Sequence, residues 1–327
     1  MNQQVHLVTG GAGFVGSNIV ARLVQEGNQV RVLDNLSTGH RRNLENFLSD
    51  KEGGSSDRVE FIEGDIRDRK VVKKCLKDVK YVFHQAALPS VPRSIEDPAE
   101  SVSVAVDGTL TILEESRKEG VKRVVYAASS SAYGANETVP KKESFRPEPL
   151  SPYAAGKLAA EYLCKVFSDC YGLETVSLRY FNVFGPGQDL DSPYAAVIPK
   201  FIDAFLEKRS PVVFGDGNQT RDFTFVDNVV EANLLAASAP SVGDGRVMNV
   251  ACGQSISLLD LLDSLSGILG PCKEPRFKDP RPGDVMHSLA DITEAKSHMG
   301  YDVVVPLYKG LEKTVQWYRK FKKTQEY

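Results

Sequence analysis

The stretch that most restricts the fold is Thr9-Gly10-Gly11-Ala12-Gly13-Phe14-Val15-Gly16, directly after the apolar run Val5-His6-Leu7-Val8. Beyond it, Asn18-Ile19-Val20-Ala21-Arg22-Leu23-Val24 carries apolar residues at helical spacing, which predicts a strand, a tight turn and a helix. Glycines at 10, 13 and 16 permit the turn, let backbone N–H groups approach a pyrophosphate and let helix pack closely on strand. The helix N-terminus then faces the anion with its positive dipole end. A second apolar run, Val30-Arg31-Val32-Leu33, ends in Asp34, an acid suited to ribose hydroxyls and repellent to a 2′-phosphate. The expected ligand is a dinucleotide, NAD in preference to NADP. Arg41 and Arg42 follow soon after and weaken that preference slightly.

Further apolar runs alternate with helical stretches. Val59–Ile62 is a third strand, followed by Gly64-Asp65-Ile66. Tyr81–His84 is a fourth and opens into Gln85-Ala86-Ala87, small residues that would let a flat cofactor lie close to the backbone. Asp97-Pro98 caps a helical stretch to about Glu119, and Arg123–Ala127 is a fifth strand. Such alternation predicts parallel strands with right-handed crossovers, a doubly wound α/β sheet of the Rossmann kind, with ligands beyond the strands' carboxyl ends. His84, at a strand end, is expected to be structural. Residues 49–57 read as a polar surface loop.

Composition narrows the partners. A chain of 327 residues with 42% hydrophobic and 25% charged residues suits one large or two modest globular domains. A net charge of -3 gives no electrostatic case for nucleic acid or an anionic membrane. No apolar run approaches a membrane span, and the first strand leaves no room for a signal peptide. The five cysteines (75, 164, 170, 252 and 272) and five histidines show no ligand spacing. Reduced thiols, no metal and a cytoplasmic location are the expectations.

From Gly185 onward prolines and glycines become frequent, as in Gly185-Pro186-Gly187, Pro193, Pro199 and Gly215-Asp216-Gly217. Short elements are expected at Val197–Glu207, Val212–Phe214, Leu258–Leu269 and Leu307–Lys322. The expected organisation is a nucleotide domain over residues 1–180 and a smaller mixed α/β C-terminal substrate lobe over 181–222 and 253–327. Within 223–252, Phe223–Val226 and Val247–Val250 read as buried strands that return to the first domain.

The chemistry falls in the middle of the chain. Ser129-Ser130-Ser131-Ala132-Tyr133-Gly134 follows the fifth strand, and Ser151-Pro152-Tyr153-Ala154-Ala155-Gly156-Lys157 opens a helix to about Tyr171. Tyr153 and Lys157 share a helix face. A phenol, with a pKa of about 10, is a poor base at neutral pH. A nearby ammonium, the helix start and a positively charged nicotinamide favour its anion, which makes Tyr153 a proton acceptor for a hydroxyl being oxidised. Ser129 is placed to hydrogen-bond the same oxygen as it becomes a carbonyl.

Taken together these segments resemble an extended short-chain dehydrogenase/reductase of the nucleotide-sugar epimerase and dehydratase family. The resemblance rests on Thr9–Gly16, Asp34–Gly39, Gly64-Asp65-Ile66, His84–Ala87, Ser129–Gly134 and Tyr153/Lys157. It continues through Leu178-Arg179-Tyr180-Phe181-Asn182-Val183-Phe184-Gly185-Pro186-Gly187, Arg221-Asp222-Phe223 with Asp227, and Arg281-Pro282-Gly283-Asp284. It implies tightly held NAD and a lobe that takes a UDP-sugar. By position it makes Ser129, Tyr153 and Lys157 catalytic. The implied cofactor contacts are Gly10, Gly13, Phe14, Val15, Gly16, Asp34, Asn35, Ser37, Thr38, Gly39, Asp65, Ile66, Gln85, Ala86, Ala87, Tyr153, Lys157 and Tyr180. The implied substrate contacts are Ser90, Ser129, Ser130, Asn182, Gln188, Ala196, Val197, Lys200, Arg221, Arg281, Asp284 and Ser288. Asn182 resembles a diphosphate contact, and the guanidinium forks of Arg221 and Arg281 suit phosphate oxygens.

Family dehydratases carry an Asp-Glu pair where this chain has Ser130 and Ser131, so dehydration is disfavoured and 4-epimerisation through a transient 4-keto sugar is implied. Ala87-Leu88-Pro89-Ser90-Val91-Pro92-Arg93-Ser94 and the segment from Gln188 through Tyr194-Ala195-Ala196-Val197-Ile198-Pro199-Lys200 are similar to epimerases of N-acetylated UDP-hexosamines. Ser288 stands at the gatekeeper position, where a small residue leaves room for a 2-acetamido group. UDP-N-acetylglucosamine and UDP-N-acetylgalactosamine are therefore expected, with UDP-glucose and UDP-galactose also admissible. Two residues depart from the pattern: Ala105 replaces an asparagine near the cofactor, and Pro89 replaces a residue that is often glycine. Two other readings stand beside this one, a UDP-uronic acid epimerase or decarboxylase, with Arg93 the nearest cation for a sugar carboxylate, and a non-catalytic NAD-binding sensor or scaffold. The resemblance further implies a homodimer joined by the helices around 99–119 and 153–171.

Overall fold

In chain order, β1 (Val5–Thr9), β2 (Gln29–Asp34), β3 (Val59–Glu63), β4 (Val79–His84), β5 (Arg123–Ser129) and β6 (Glu174–Tyr180) precede four short strands. These are β7 (Val183–Phe184), β8 (Val212–Phe214), β9 (Thr220–Arg221) and β10 (Thr224–Phe225); β11 (Asp244–Val250), β12 (Ile256–Ser257) and β13 (Arg276–Lys278) follow. The helices are α1 (Phe14–Gln25), α2 (Glu45–Leu48), α3 (Arg69–Leu76), α4 (Val91–Glu96), α5 (Pro98–Lys118) and α6 (Pro152–Tyr171). The rest are α7 (Val197–Leu206), α8 (Val226–Ser238), α9 (Leu258–Leu269), α10 (Thr293–Met299) and α11 (Leu307–Gln325). The structure is a computed structural model that describes residues 4–48, 58–189, 196–280 and 285–325. The loop expected at 49–57, Pro193, the pair Tyr194-Ala195, and Arg281, Pro282, Gly283 and Asp284 lie outside the described residues.

Seven strands form one parallel sheet in the order β11-β6-β5-β4-β1-β2-β3. The chain leaves β1 for β2 and β3 on one side, then crosses to β4 on the other. That reversal opens a crevice at the carboxyl ends of β1 and β4. Alternate residues along the strands feed two cores. Val8, Val32 and Val125 pack under α1 and α8, whereas Leu7, Leu33 and Val124 pack under α3, α5 and α6. Helices cover both faces, so the strands are apolar on both, as in β5 with its run Val124-Val125-Tyr126-Ala127-Ala128.

The two helices that frame the site begin at side-chain caps. Asp97 accepts from Glu100 N at 3.1 Å to start α5, and Ser151 Oγ accepts from Ala154 N at 3.2 Å to start α6. Pro98 and Pro152 each take the first helical position, where no N–H is needed.

Of the two returning strands expected within 223–252, one joins the sheet. β11 pairs with β6 from Asp244 to Val250. The Phe223–Val226 expectation needs correction, because only Thr224–Phe225 is extended and it pairs with β7 outside the large sheet. Val226 already begins α8, with Asp227 in the first turn favourable to the helix dipole. The remaining short strands pair as β8–β13 and β9–β12.

Candidate functional site

The glycine-rich turn is built for close approach. Gly10 has φ +66°, and a Cβ there would lie 2.7 Å from Ala86 Cα; at Gly16 it would lie 2.2 Å from the Gly10 carbonyl oxygen. The turn is tied to the end of β2 by Asp34, which accepts from Ala12 N at 3.0 Å and from Leu36 N at 2.8 Å. Burial pushes the Asp34 carboxyl up, and these backbone donors partly offset the shift. Arg41 lies over the Phe61 ring at 5.0 Å and Arg42 over Phe321 at 5.3 Å, so both guanidinium groups are stacked on rings and neither is on the cleft wall.

A cleft of about 450 Å³ runs from this turn across the strand ends. Its walls include Gly10, Gly13, Phe14, Val15, Gly16, Asp34, Asn35, Ser37, Thr38, Asp65, Ile66, Gln85, Ala86, Ala87, Tyr153, Lys157 and Tyr180. Gly39 is off the wall; a Cβ there would sit 2.9 Å from Asp34 Oδ2, so it serves the turn's packing. Ser90, Gln188 and Ala196, expected on the substrate side, line this cleft as well. At one end Asp65 pairs with Arg67 at 2.8 Å, which holds its carboxyl below the usual range. Deeper in, Tyr180 and Gln85 share a buried asparagine: Gln85 Nε2 donates to Asn233 Oδ1 at 3.1 Å, and Asn233 Nδ2 donates to Tyr180 Oη at 2.8 Å.

Tyr153 and Lys157 both reach this cleft from α6. Burial raises the pKa of the Tyr153 phenol, and the Ser129 side chain beside it lowers it. Ser129 also accepts from Ser131 Oγ at 2.8 Å. Lys157 Nζ donates to the Ala127 carbonyl at 2.7 Å and lies 5.0 Å from the Tyr126 ring centroid, and burial pushes it down to about 8. In the protein alone Lys157 Nζ is turned to the β5 backbone, while Lys157 shares the helix face of Tyr153. His84 is structural as expected, bonded to Thr9 Oγ1 at 2.7 Å and Thr109 Oγ1 at 3.0 Å and pushed by burial down to about 3. Ala105 has a packing reason. A Cβ added at Gly156, between Tyr153 and Lys157, would come 3.0 Å from Ala105 Cβ, so a small residue there lets α5 and α6 touch.

A second cavity, of about 610 Å³, is lined by Asn182, Val197, Lys200 and Arg221 among others. Ala196 borders both spaces. Asn182 adopts φ +33° and donates from Nδ2 to the Asp222 carbonyl at 3.2 Å. Arg221 Nη1 donates to the Thr220 carbonyl at 2.8 Å. Ser288 is buried next to it, its N–H bonded to the Thr220 carbonyl at 3.0 Å. Ser129, Ser130 and Ser288 are not on either wall. Arg281 and Asp284 lie outside the described residues. Sequence reasoning missed Arg209 and Lys278 on the second wall, and Asn43 and His40 on the first. Lys278 reaches the cavity through the pairing of β13 with β8, which links residues far apart in the chain and leaves no local signal.

Asp222, fully buried, joins these parts. It accepts from Cys252 N at 2.9 Å, Gly253 N at 3.0 Å and Ala290 N at 3.3 Å, and burial pushes its carboxyl up to about 6. Among the described residues no group of three His, Cys, Asp or Glu side chains could hold a metal ion, and no helix is long and apolar enough to cross a membrane. The glycine cradle, Asp34 and the flat Ala86-Ala87 wall fit NAD.

The sequence profile of the "NAD dependent epimerase/dehydratase family" matches residues 6–251. The UDP-glucose 4-epimerase of Mycolicibacterium smegmatis is 39% identical over 316 residues, 96% of this chain and 98% of the relative. The UDP-glucuronate 4-epimerase of Thermodesulfobacterium geofontis is 33% identical over 95% of each chain. Among solved structures, the UDP-N-acetylglucosamine 4-epimerase of Methanobrevibacter ruminantium, in complex with UDP-N-acetylmuramic acid, superposes with a TM-score of 0.91 at 40% identity, covering 98% of this chain and 100% of its own. The chain therefore belongs to the NAD-dependent epimerase/dehydratase family, an enzyme with NAD as its cofactor.

Proposed function

We propose that the protein inverts C4 of UDP-N-acetylglucosamine and UDP-N-acetylgalactosamine, and accepts UDP-glucose and UDP-galactose as well. The observation that carries this reading is Tyr153 on the wall of the cofactor cleft with Lys157 one turn on and Ser129 beside it, and a second cavity next to that cleft across Ala196. NAD, when bound, supplies the oxidant that makes C4 a ketone and then returns the electrons. Tyr153 Oη, as the phenolate that the Lys157 ammonium and the bound nicotinamide would favour, takes the proton of the 4-hydroxyl and gives it back after the sugar has turned. Ser129 Oγ steadies that oxygen through both steps. Lys157 keeps the cleft wall shaped by its bond to β5, and a cofactor contact is its expected further role. In the second cavity Asn182 and Arg221 suit the diphosphate; Arg281 is proposed to join them from its position in the sequence.

The absence of an Asp-Glu pair at Ser130 and Ser131 favours epimerisation over dehydration. Ser288 permits an acetamido sugar by its position in the sequence, although it lines neither cavity in the protein alone. Purified protein incubated separately with UDP-N-acetylglucosamine, UDP-glucose and UDP-glucuronate, followed by chromatographic separation of products, tests the substrate class. Interconversion of the first two is expected. Ser288→Tyr should lose turnover of the acetamido sugar by roughly 10- to 100-fold and keep that of UDP-glucose, the size of discrimination expected when a pocket loses room for a substituent. One observation favours the acid-sugar reading: Arg93 lines the first cleft, and no carboxylate pairs with it among the described residues. Turnover of UDP-glucuronate alone would move the assignment there, and NAD binding without turnover of any sugar would favour the sensor reading.

A homodimer is part of the proposal. Val102 and Leu110 of α5 and Tyr162 and Val166 of α6 are exposed, although their helices pack on each other. Light scattering of purified protein tests it, a dimer being expected. A reducing, cytoplasmic setting is the expectation that accompanies five free cysteines.

A further inference from the structure

Behind the reacting groups lies a buried ion pair that the chemistry above does not use. Arg179 of β6 donates from Nε to Glu161 Oε2 at 2.9 Å and from Nη2 to Glu161 Oε1 at 2.6 Å, and both side chains are 3% exposed. Glu161 is on α6, one turn past Lys157 and two past Tyr153. The same guanidinium lies 4.7 Å from the centroid of the Tyr133 ring, and Tyr133 closes the short turn that begins at Ser129. Tyr133 Oη donates in turn to Asn249 Oδ1 at 2.7 Å, and Asn249 Nδ2 donates to the carbonyls of Lys141 and Asp291, each at 3.0 Å. One side chain thus touches the helix that carries Tyr153 and the turn that carries Ser129.

Stability is a weak reason for this arrangement. Withdrawing two charges from water costs about what their attraction returns, and apolar residues of similar volume often serve as well or better. A planar fork that grips a carboxylate edge-on and a ring face-on fixes distances that apolar packing leaves loose. We propose that Glu161, Arg179 and the Tyr133 ring are positioning residues that fix the turn carrying Ser129 relative to the helix carrying Tyr153, and so set the approach of the two side-chain oxygens to each other. This rests on the epimerase reading, in which those two oxygens act on one sugar hydroxyl.

The test compares the parent with the double variant Glu161→Leu/Arg179→Met, with Arg179→Lys, and with Tyr133→Phe and Tyr133→Leu. The double variant should melt no lower than the parent, yet lose roughly 10- to 100-fold in kcat with KM within about twofold, the pattern of misplaced reacting groups. Arg179→Lys should recover part of that loss. Tyr133→Phe, which keeps the ring, should stay near the parent, whereas Tyr133→Leu should resemble the double variant. Crystal structures of the parent and the double variant give a readout that does not depend on turnover: the Ser129 Oγ–Tyr153 Oη separation should be longer in the variant than in the parent. An unchanged separation, or an unchanged kcat in a folded double variant of an active parent, overturns the positioning role. An inactive parent with the separation lengthened in the variant overturns the epimerase reading and leaves the positioning role intact.

Discussion

The cofactor cleft and the second cavity draw on different kinds of structure. The cleft takes its walls from the carboxyl ends of β1, β2, β4 and β5, at the crevice where the strand order reverses. The second cavity is assembled from α7, β8, β9, β13 and the segment around Asn182, pieces held by two-stranded pairings and by apolar side chains such as Phe201, Val213 and Phe223, while the Asp222 carboxylate ties the adjoining chain to the N–H groups of Cys252, Gly253 and Ala290. One is rigid because seven strands share a ladder. The other is held by short pairings, apolar packing and a few buried polar contacts. The first should therefore tolerate little change in shape, and the second should depend on individual hydrogen bonds.

The largest expected effect lies where the two meet. Tyr153→Phe should lower kcat by about 10³- to 10⁴-fold, the upper range for loss of a positioned acid–base group, with cofactor and sugar-nucleotide binding retained. Steady-state kinetics alongside calorimetric binding would separate the two quantities. Next comes Gly16→Val, which drives a side chain into the Gly10 carbonyl. Overpacking of this kind costs about 1–3 kcal/mol, so cofactor affinity should fall by roughly 10- to 100-fold while UDP binding in the second cavity is kept. Loss of both together would show that the regions are not independent.

Asp222→Ala probes the other side. It leaves the N–H groups of Cys252, Gly253 and Ala290 without their acceptor. About 3 kcal/mol of stability should be lost in chemical denaturation, and KM for the sugar nucleotide should rise more than the Kd for NAD. The smallest effect is in the opposite direction. Burial lowers Lys157 to about 8 in the folded chain against 10.5 as the ordinary value, so its charge opposes folding fully below pH 8 and progressively less up to 10.5. Lys157→Met should therefore melt higher than the parent at pH 7, with the gap closing between pH 8 and 10.5. A gap that widened with pH would contradict the burial account.

The same contrast explains what was legible in the sequence. The glycine spacing, Asp34 and the small residues after β4 are local patterns, each set by the backbone geometry of one strand end, and much of the cleft wall follows from them. Tyr153 and Lys157 were readable because four residues on a helix make one face. The direction of Lys157 was not readable, since its partner Ala127 belongs to a strand thirty residues earlier. The turn from Phe223 into α8 was hidden because Phe223-Thr224-Phe225-Val226 is apolar and β-branched, a composition that suits either element. Lys278 reaches the cavity through a pairing between distant short strands, and Asp222 acts through side-chain bonds to backbone 30 to 68 residues away, neither of which periodicity encodes.

A crystal structure with NAD and UDP-N-acetylglucosamine tests the central claim most directly, through the distance from Tyr153 Oη to the sugar O4. The account predicts hydrogen-bond contact, about 3 Å, with Ser129 Oγ on the same oxygen. An O4 held by other groups, with Tyr153 Oη out of hydrogen-bond reach of it, would contradict it.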